Sequence, residues 1–250
     1  MNFQERKHII LEKVEESGSA DVKELAVLLN TSEITVRRDL AALAEKGLIY
    51  RTHGGAMKIS LAKDPVSFIN KSATRSEQKD HICQIAASFI QEGDVLFLDC
   101  GSTVYRLCPF IRNMNIKVVT NSIPVVNALL NSAVSLNFAG GEIDMERQAS
   151  HGTIAIEHFA RYRADKAFIG VDGISLATGL SASSEKEAEI STTLARYSRE
   201  TFLLCDSTKL EKDKYLPFAP LTMAQYLITD KEADAELTKR YESYGIRVLN

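Results

Sequence analysis

Ser32-Glu33-Ile34-Thr35-Val36-Arg37-Arg38-Asp39-Leu40 is the stretch on which the reading of this chain turns. Val36, Leu40 and Leu43 recur at helical spacing, so they form the inward face of a helix running from Glu33 to about Lys46. Ser32 is placed to cap that helix and Gly47 to end it. Thr35, Arg37 and Arg38 then fall on its early turns, largely off the apolar face. Just upstream, Asp21 can cap a shorter helix, Val22–Leu29, with Val22, Leu25, Ala26 and Leu29 on one face. Asn30-Thr31-Ser32 separates the two. Two helices joined by a three-residue turn, with polar and basic side chains early in the second, fit a helix-turn-helix. Its second helix would lie in a DNA major groove, where arginine meets guanine edges or phosphates.

Downstream, Leu48-Ile49-Tyr50-Arg51 reads as a strand, His53-Gly54-Gly55 as a tight turn and Ala56–Ile59 as the returning strand. Such a wing brings backbone amides and Arg51 to the sugar-phosphate chain. The candidate DNA contacts are therefore Ser32, Thr35, Arg37, Arg38, Arg51, His53, Gly54 and Gly55, with the helix-turn-helix spanning about Ala20 to Asp39. Over the first sixty residues basic and acidic side chains cancel, but from Gly47 to Lys58 there is no acid at all. The net charge of −3 excludes binding to nucleic acid by bulk charge and leaves room for a local basic surface.

The chain has 250 residues, 45% of them hydrophobic, which suits one large domain or two ordinary ones. It holds no apolar run of membrane-spanning length, and Met1–Lys7 carries mixed charge, so a cytoplasmic protein is expected. Cys83, Cys100, Cys108 and Cys205 are scattered, which predicts reduced buried thiols rather than a disulfide framework or a zinc site. No metal or cofactor is called for.

Beyond a candidate linker at residues 59–74, which contains Pro65, strand-like runs alternate with helical patterns. The strands expected are Val95–Asp99, Lys117–Thr120, Val134–Ala139, Lys166–Val171, Thr201–Asp206, Tyr226–Asp230 and Ile246–Leu249; Glu185–Tyr197 and Ala233–Tyr244 have helical period. That alternation predicts an α/β domain with a largely parallel sheet over 75–250, after a DNA-binding domain at 1–58. Ligands of open α/β sheets sit outside the carboxyl ends of the strands. Those ends supply Asp99, Gly101, Ser102 and Thr103, then Thr120 and Asn121, Gly140 and Gly141, Gly170, Asp172 and Gly173, and Lys209. Gly101-Ser102-Thr103 opens a helix and suits a phosphate, Lys209 adds a cation, and Asp99, Asp172 and Glu187 suit sugar hydroxyls. Strand-to-helix turns need Gly, Asp and Ser for their own sake, so each position has a purely structural reading as well. His151 reads as a surface or packing residue, and Tyr105, Phe110, Phe138, Phe159 and Phe168 as core or interface.

Glu24-Leu25-Ala26, Ser32–Leu40 and Arg51-Thr52-His53-Gly54-Gly55-Ala56 together resemble the DeoR family of bacterial transcriptional regulators. The second half continues the likeness with Asp99–Thr103, Thr120-Asn121-Ser122, Gly140-Gly141, Gly170–Ile174, Gly179-Leu180, Glu187-Ala188-Glu189, Asp206–Lys209 and Ile228–Asp230, in the family's order. Ile190-Ser191 and Gln225 depart from the pattern, where a basic and an acidic residue are common. The resemblance implies a winged helix-turn-helix followed by an α/β effector domain like ribose-5-phosphate isomerase and the CoA transferases. It also implies a homo-oligomer, dimer or tetramer, on operator DNA. Such a regulator represses, or sometimes activates, sugar or polyol catabolism in response to a phosphorylated sugar or polyol. Two other classes stand beside this one: a sugar-phosphate isomerase or deaminase with an accessory domain, and a purely architectural DNA binder.

Overall fold

The computed structural model describes residues 2–45, 48–52, 54–58 and 68–250. Two compact units divide the chain, Met1–Ser76 and Glu77–Asn250. The first begins with α1 (Phe3–Ser17), whose Asn2 and Glu5 form a reciprocal capping box and whose end is marked by left-handed Gly18. There follow β1 (Ser19–Asp21), α2 (Val22–Leu28), α3 (Glu33–Glu45), β2 (Tyr50–Arg51), β3 (Gly55–Met57) and α4 (Phe68–Ala73). Asp21 caps α2 by accepting from the Lys23 amide at 2.7 Å, and Ser32 caps α3 by accepting from Thr35 N at 3.2 Å. Val22, Leu25, Leu29, Val36, Leu40, Leu43 and Ile49 are buried with Ile10 and Val14 of α1.

The wing carries one strand more than its sequence suggests, because β3 pairs antiparallel with β1 as well as with β2. Three residues ahead of a helix cap are too few to show a strand period. The expected linker is corrected in part: Phe68–Ala73 is helical and packs against α3 and β2, whereas 59–67 lies outside the described residues. Lys46, Gly47 and His53 also lie outside them.

The second unit runs through α5 (Ser76–Ala87), β4 (Val95–Leu98), α6 (Ser102–Tyr105), α7 (Cys108–Ile111), β5 (Lys117–Thr120), α8 (Ile123–Leu129) and β6 (Ser135–Phe138). The hairpin of β7 (Glu142–Asp144) and β8 (Ala149–His151) comes next, then α9 (Thr153–Ala160), β9 (Ala164–Gly170), β10 (Gly173–Ser175) and β11 (Gly179–Ala182). The chain finishes with α10 (Glu185–Arg196), β12 (Ser198–Leu204), β13 (Leu216–Ala219), β14 (Tyr226–Ile228), α11 (Ala235–Ser243) and β15 (Arg247–Leu249). Seven strands form one sheet in the order β15-β14-β12-β9-β4-β5-β6, parallel at every pairing. All seven expected strands are among them. The sequence did not show the small antiparallel sheet β10-β11-β13 or the β7-β8 hairpin, whose strands of three or four residues carry little period.

Both faces of the parallel sheet are covered, because the crossover connections between parallel strands lay helices on them. Phe97, Ile169 and Leu203 pack on one side with Phe159 and Tyr241, while Leu96, Leu98, Phe168 and Phe202 pack on the other with Ile82 and Val104. From β4 the chain steps outward to β5 and β6, and from β9 it steps the opposite way to β12, β14 and β15. The order therefore reverses between β4 and β9, and it is outside the carboxyl ends at such a reversal that open α/β sheets take ligands.

In the first unit, Leu40→Ala removes a fully buried side chain from between the helices. Chemical denaturation should show about 2–5 kcal/mol lost from the stability of that unit.

Candidate functional site

The apolar face of α3 fixes which of its side chains look outward. With Val36, Leu40 and Leu43 buried, Ser32, Ile34, Arg37 and Arg38 stand exposed. Asp39, within the same motif, turns inward and accepts two bonds from the Arg6 guanidinium of α1, at 2.6 and 3.1 Å. Asp39 therefore orients the helix rather than facing outward from it. Thr35 Oγ1 lies 3.0 Å from Ser32 Oγ, so the hydroxyl proposed as a groove contact is engaged in the cap. Arg37 lies 3.4 Å from Glu33. On the wing, Arg51 is half-buried on β2, and Gly54 is exposed at the turn. A Cβ on Gly55 would stand 2.0 Å from the Ala20 carbonyl oxygen, so pairing with β1 alone requires glycine there.

At the β4–β9 reversal, Asp99 is buried and accepts from Cys100 N at 2.7 Å and from Gly170 N at 3.1 Å. Gly101 and Gly170 pack back to back: a Cβ on Gly101 would sit 3.2 Å from the Gly170 Cα. Glycine at 101 thus serves the close approach of the two strand ends, besides any ligand. Ser102 and Thr103 open α6 and are buried. Lys79 reaches Ser102 from α5: its ammonium donates to Ser102 Oγ at 3.2 Å, and the residue is only 3% exposed. Lys79 was not singled out from the sequence, although it occupies the inward stripe Lys79-Ile82-Cys83-Ala86 of its helix, where a lysine is out of place.

Lys209 donates to the Val171 carbonyl oxygen at 2.8 Å, which brings it to the end of β9. Gly173 is held for packing, since a Cβ there would stand 2.3 Å from Lys212 O. Asp172 and Glu187 come together through Arg147, whose guanidinium pairs with both Glu187 oxygens and lies 3.4 Å from Asp172. Arg147 sits between β7 and β8, and no local pattern marked it. At the ends of β5 and β6, Asn121 Nδ2 donates to Ser150 O at 2.9 Å, and Ser150 Oγ donates to Ala139 O. Gly141 lies against β8, where a Cβ would be 2.5 Å from His151 O, whereas Gly140 has open space beside it. The Asn121 side-chain oxygen and the Thr103 hydroxyl are buried without a hydrogen bond.

His151 is not on the surface: it is 2% exposed, and neither ring nitrogen makes a hydrogen bond of normal geometry, though the Lys186 backbone lies close by. Burial pulls its pKa down; Asp99 and Asp144 act against this, and Arg147 acts with it. The Asp99 carboxyl is pushed up by burial and restrained by the amides of Cys100 and Gly170 and by His151. Burial also raises all four thiols, so none is a ready nucleophile. Among the described residues no cluster of His, Cys, Asp and Glu could hold a metal. Because the folded ring resists a proton that the unfolded ring accepts near pH about 6.5, the His151 contribution is present above that pH and is lost as pH falls below it. His151→Phe should therefore flatten the loss of stability between about pH 7 and pH 5. Unfolding midpoints measured across that range in both proteins check this.

Comparison with known proteins follows the division of the chain. Residues 6–61 match the DeoR-like helix-turn-helix domain, and residues 74–231 match the DeoR C terminal sensor domain. The lactose phosphotransferase system repressor of Staphylococcus epidermidis is 33% identical over 98% of both chains. The L-fucose operon activator of Haemophilus influenzae is 32% identical over the full length of each. A ribose 5-phosphate isomerase from Methanocaldococcus jannaschii shares 16% identity over 55% of either chain with a TM-score of 0.41, too distant to bear on function. Among the described residues no helix is long and apolar enough to cross a membrane. With a winged helix-turn-helix in its first unit, a parallel sheet that reverses its order in its second and both family domains matched in sequence, the chain belongs to the DeoR family of transcriptional regulators.

Proposed function

We propose that this regulator controls a sugar- or polyol-catabolic operon from the cytoplasm and changes its hold on operator DNA when a phosphorylated sugar or polyol binds at the β4–β9 crevice. The observation that carries this reading is the buried ammonium of Lys79 against Ser102, at the loop Gly101-Ser102-Thr103. A buried cation beside hydroxyls and helix-opening amides suits a phosphate far better than a neutral sugar. Lys209 supplies a second cation at the end of β9. Asp99, Thr120, Asn121, Gly140 and Gly170 complete the crevice, and Asp172 and Glu187 reach hydroxyls through or in exchange for Arg147. Residues 1–58 carry DNA binding, and 75–250 carry effector binding and self-association. A dimer or tetramer fits paired half-sites, which multiply the affinity of one small domain. Of the two relatives, one is a repressor of a lactose system and the other an activator of a fucose operon; this regulator represses.

The enzymatic alternative needs a positioned general base. Asp99 is occupied by two amides and Asp172 and Glu187 by Arg147, which disfavours that reading. Turnover of any member of a panel of pentose and hexose phosphates would reverse the preference.

Lys79→Met and Lys209→Ala should each bind operator as the parent does and lose the response to effector. In the parent protein that response is expected to be a shift of roughly 5–150-fold. Calorimetry with a panel of sugar phosphates and their unphosphorylated parents should show heat for a phosphorylated member alone; equal binding of the parent sugar would remove the phosphate from the site. In the first unit, replacing both Arg37 and Arg38 with Ala should abolish specific binding at unchanged circular dichroism, each base contact being worth about 1–3 kcal/mol. Arg51→Ala should weaken specific and non-specific DNA alike and flatten the salt dependence by about one unit of slope.

A further inference from the structure

The outward stripe of α3 is not wholly polar. Residues 34, 37, 38 and 41 follow one another at helical spacing, and the first of them, Ile34, is 80% exposed. Single exposed apolar residues are ordinary on protein surfaces. Position distinguishes this one. Ile34 stands on the first turn of the second helix of the helix-turn-helix, the turn whose side chains meet base edges. The buried residues Val36, Leu40 and Leu43, with Asp39 fixed to Arg6, hold that turn in one rotation. Its polar neighbours are less available than the sequence suggests, because Ser32 and Thr35 are engaged with each other in the cap. Glu33 lies beside Arg37.

We propose that Ile34 is a specificity-determining residue that packs its branched side chain on the 5-methyl group of a thymine in the major groove. The inference rests on α3 being the helix that enters that groove. Isoleucine has neither donor nor acceptor, so it gains nothing from the polar edges of guanine, cytosine or adenine. Covering those edges would strip them of water without replacing the lost hydrogen bonds. Thymine alone offers a methyl group at the groove surface, and covering it removes apolar area from water on both partners. Ile34 then selects a thymine next to whatever base or phosphate Arg37 and Arg38 hold, and it does so without competing for their partners. A side chain one methylene shorter would keep part of the contact; alanine would lose it.

The test uses the full-length protein and DNA recovered from a random-sequence library by repeated rounds of binding. Each thymine of the recovered site is replaced in turn by deoxyuridine, which deletes the methyl group and leaves every hydrogen-bonding atom in place. For the unaltered protein, one thymine per half-site should matter, weakening binding about four-fold on loss of its methyl. Ile34→Ala should bind the same site less tightly and be indifferent to that methyl, and Ile34→Val should restore most of the dependence. Indifference of the unaltered protein to every thymine methyl overturns the proposal without reference to any variant. So does an Ile34→Ala protein that keeps the same methyl dependence. In both cases a recovered sequence still dependent on Arg37 and Arg38 leaves the groove-entering role of α3 standing. Failure to recover any preferred sequence, with α3 intact by circular dichroism, overturns both.

Discussion

The carboxylate of Asp99 ties together the two strands between which the sheet reverses direction. It accepts one amide from its own loop and one from the end of β9, and so fixes the separation of two strand ends that share no loop. Gly101 and Gly170 meet directly beneath it because neither has a side chain to hold them apart. The contacts at these strand ends follow from that spacing: α6 starts beside Lys79, Val171 O comes within reach of Lys209, and Asp172 is aimed toward Arg147. Burial penalises the charge on Asp99, and the amides of Cys100 and Gly170, with His151, offset part of that cost. A carboxylate under that constraint serves as a fixed point, and the loops at the strand ends are arranged around it.

The first unit solves a different problem with a similar device. A recognition helix must present one face while gripping its own domain with the other. Hydrophobic residues set the tilt of α3, but apolar contacts are non-directional and leave room for rotation. The paired bonds from Arg6 to Asp39 remove that freedom, since a planar guanidinium meets a carboxylate in one geometry. The acid in the Arg37-Arg38-Asp39 run, placed among residues that face outward, is the part of the motif that makes the outward facing reproducible.

Much of this was legible in the chain itself. Helices α2 and α3, their caps at Asp21 and Ser32, and all seven parallel strands show in local period and turn chemistry, which are properties of neighbouring residues. The unread parts are set by distant ones. Arg147 lies in a polar hairpin turn and joins the groups at the strand ends only because β7 and β8 fold it toward Asp172 and Glu187. Lys79 is separated by some twenty residues from the hydroxyl it touches, although its place on an apolar stripe was a usable sign. His151 reads as a surface or packing residue, and it is the same hairpin that decides for packing by burying it. Gly55 and Gly101 illustrate the converse: both were assigned to a ligand from sequence, and both also answer to close backbone contacts inside the protein.

The reversal of strand order has a further consequence for biosynthesis. The seat of β9, between β4 and β12, is filled by a segment made about seventy residues after β4. At ribosomal rates of roughly 5–20 residues per second, β4, β5 and β6 are all finished about 2–6 seconds before the strand that completes the centre of the sheet. Through that interval β4 is an edge strand, with the apolar side chains of Leu96, Phe97 and Leu98 and a row of unpaired amides open to any other extended chain. Newly made copies on crowded ribosomes are thus most prone to pair wrongly while the middle of the second unit is being translated, and that hazard ends when Ala164–Gly170 takes its place.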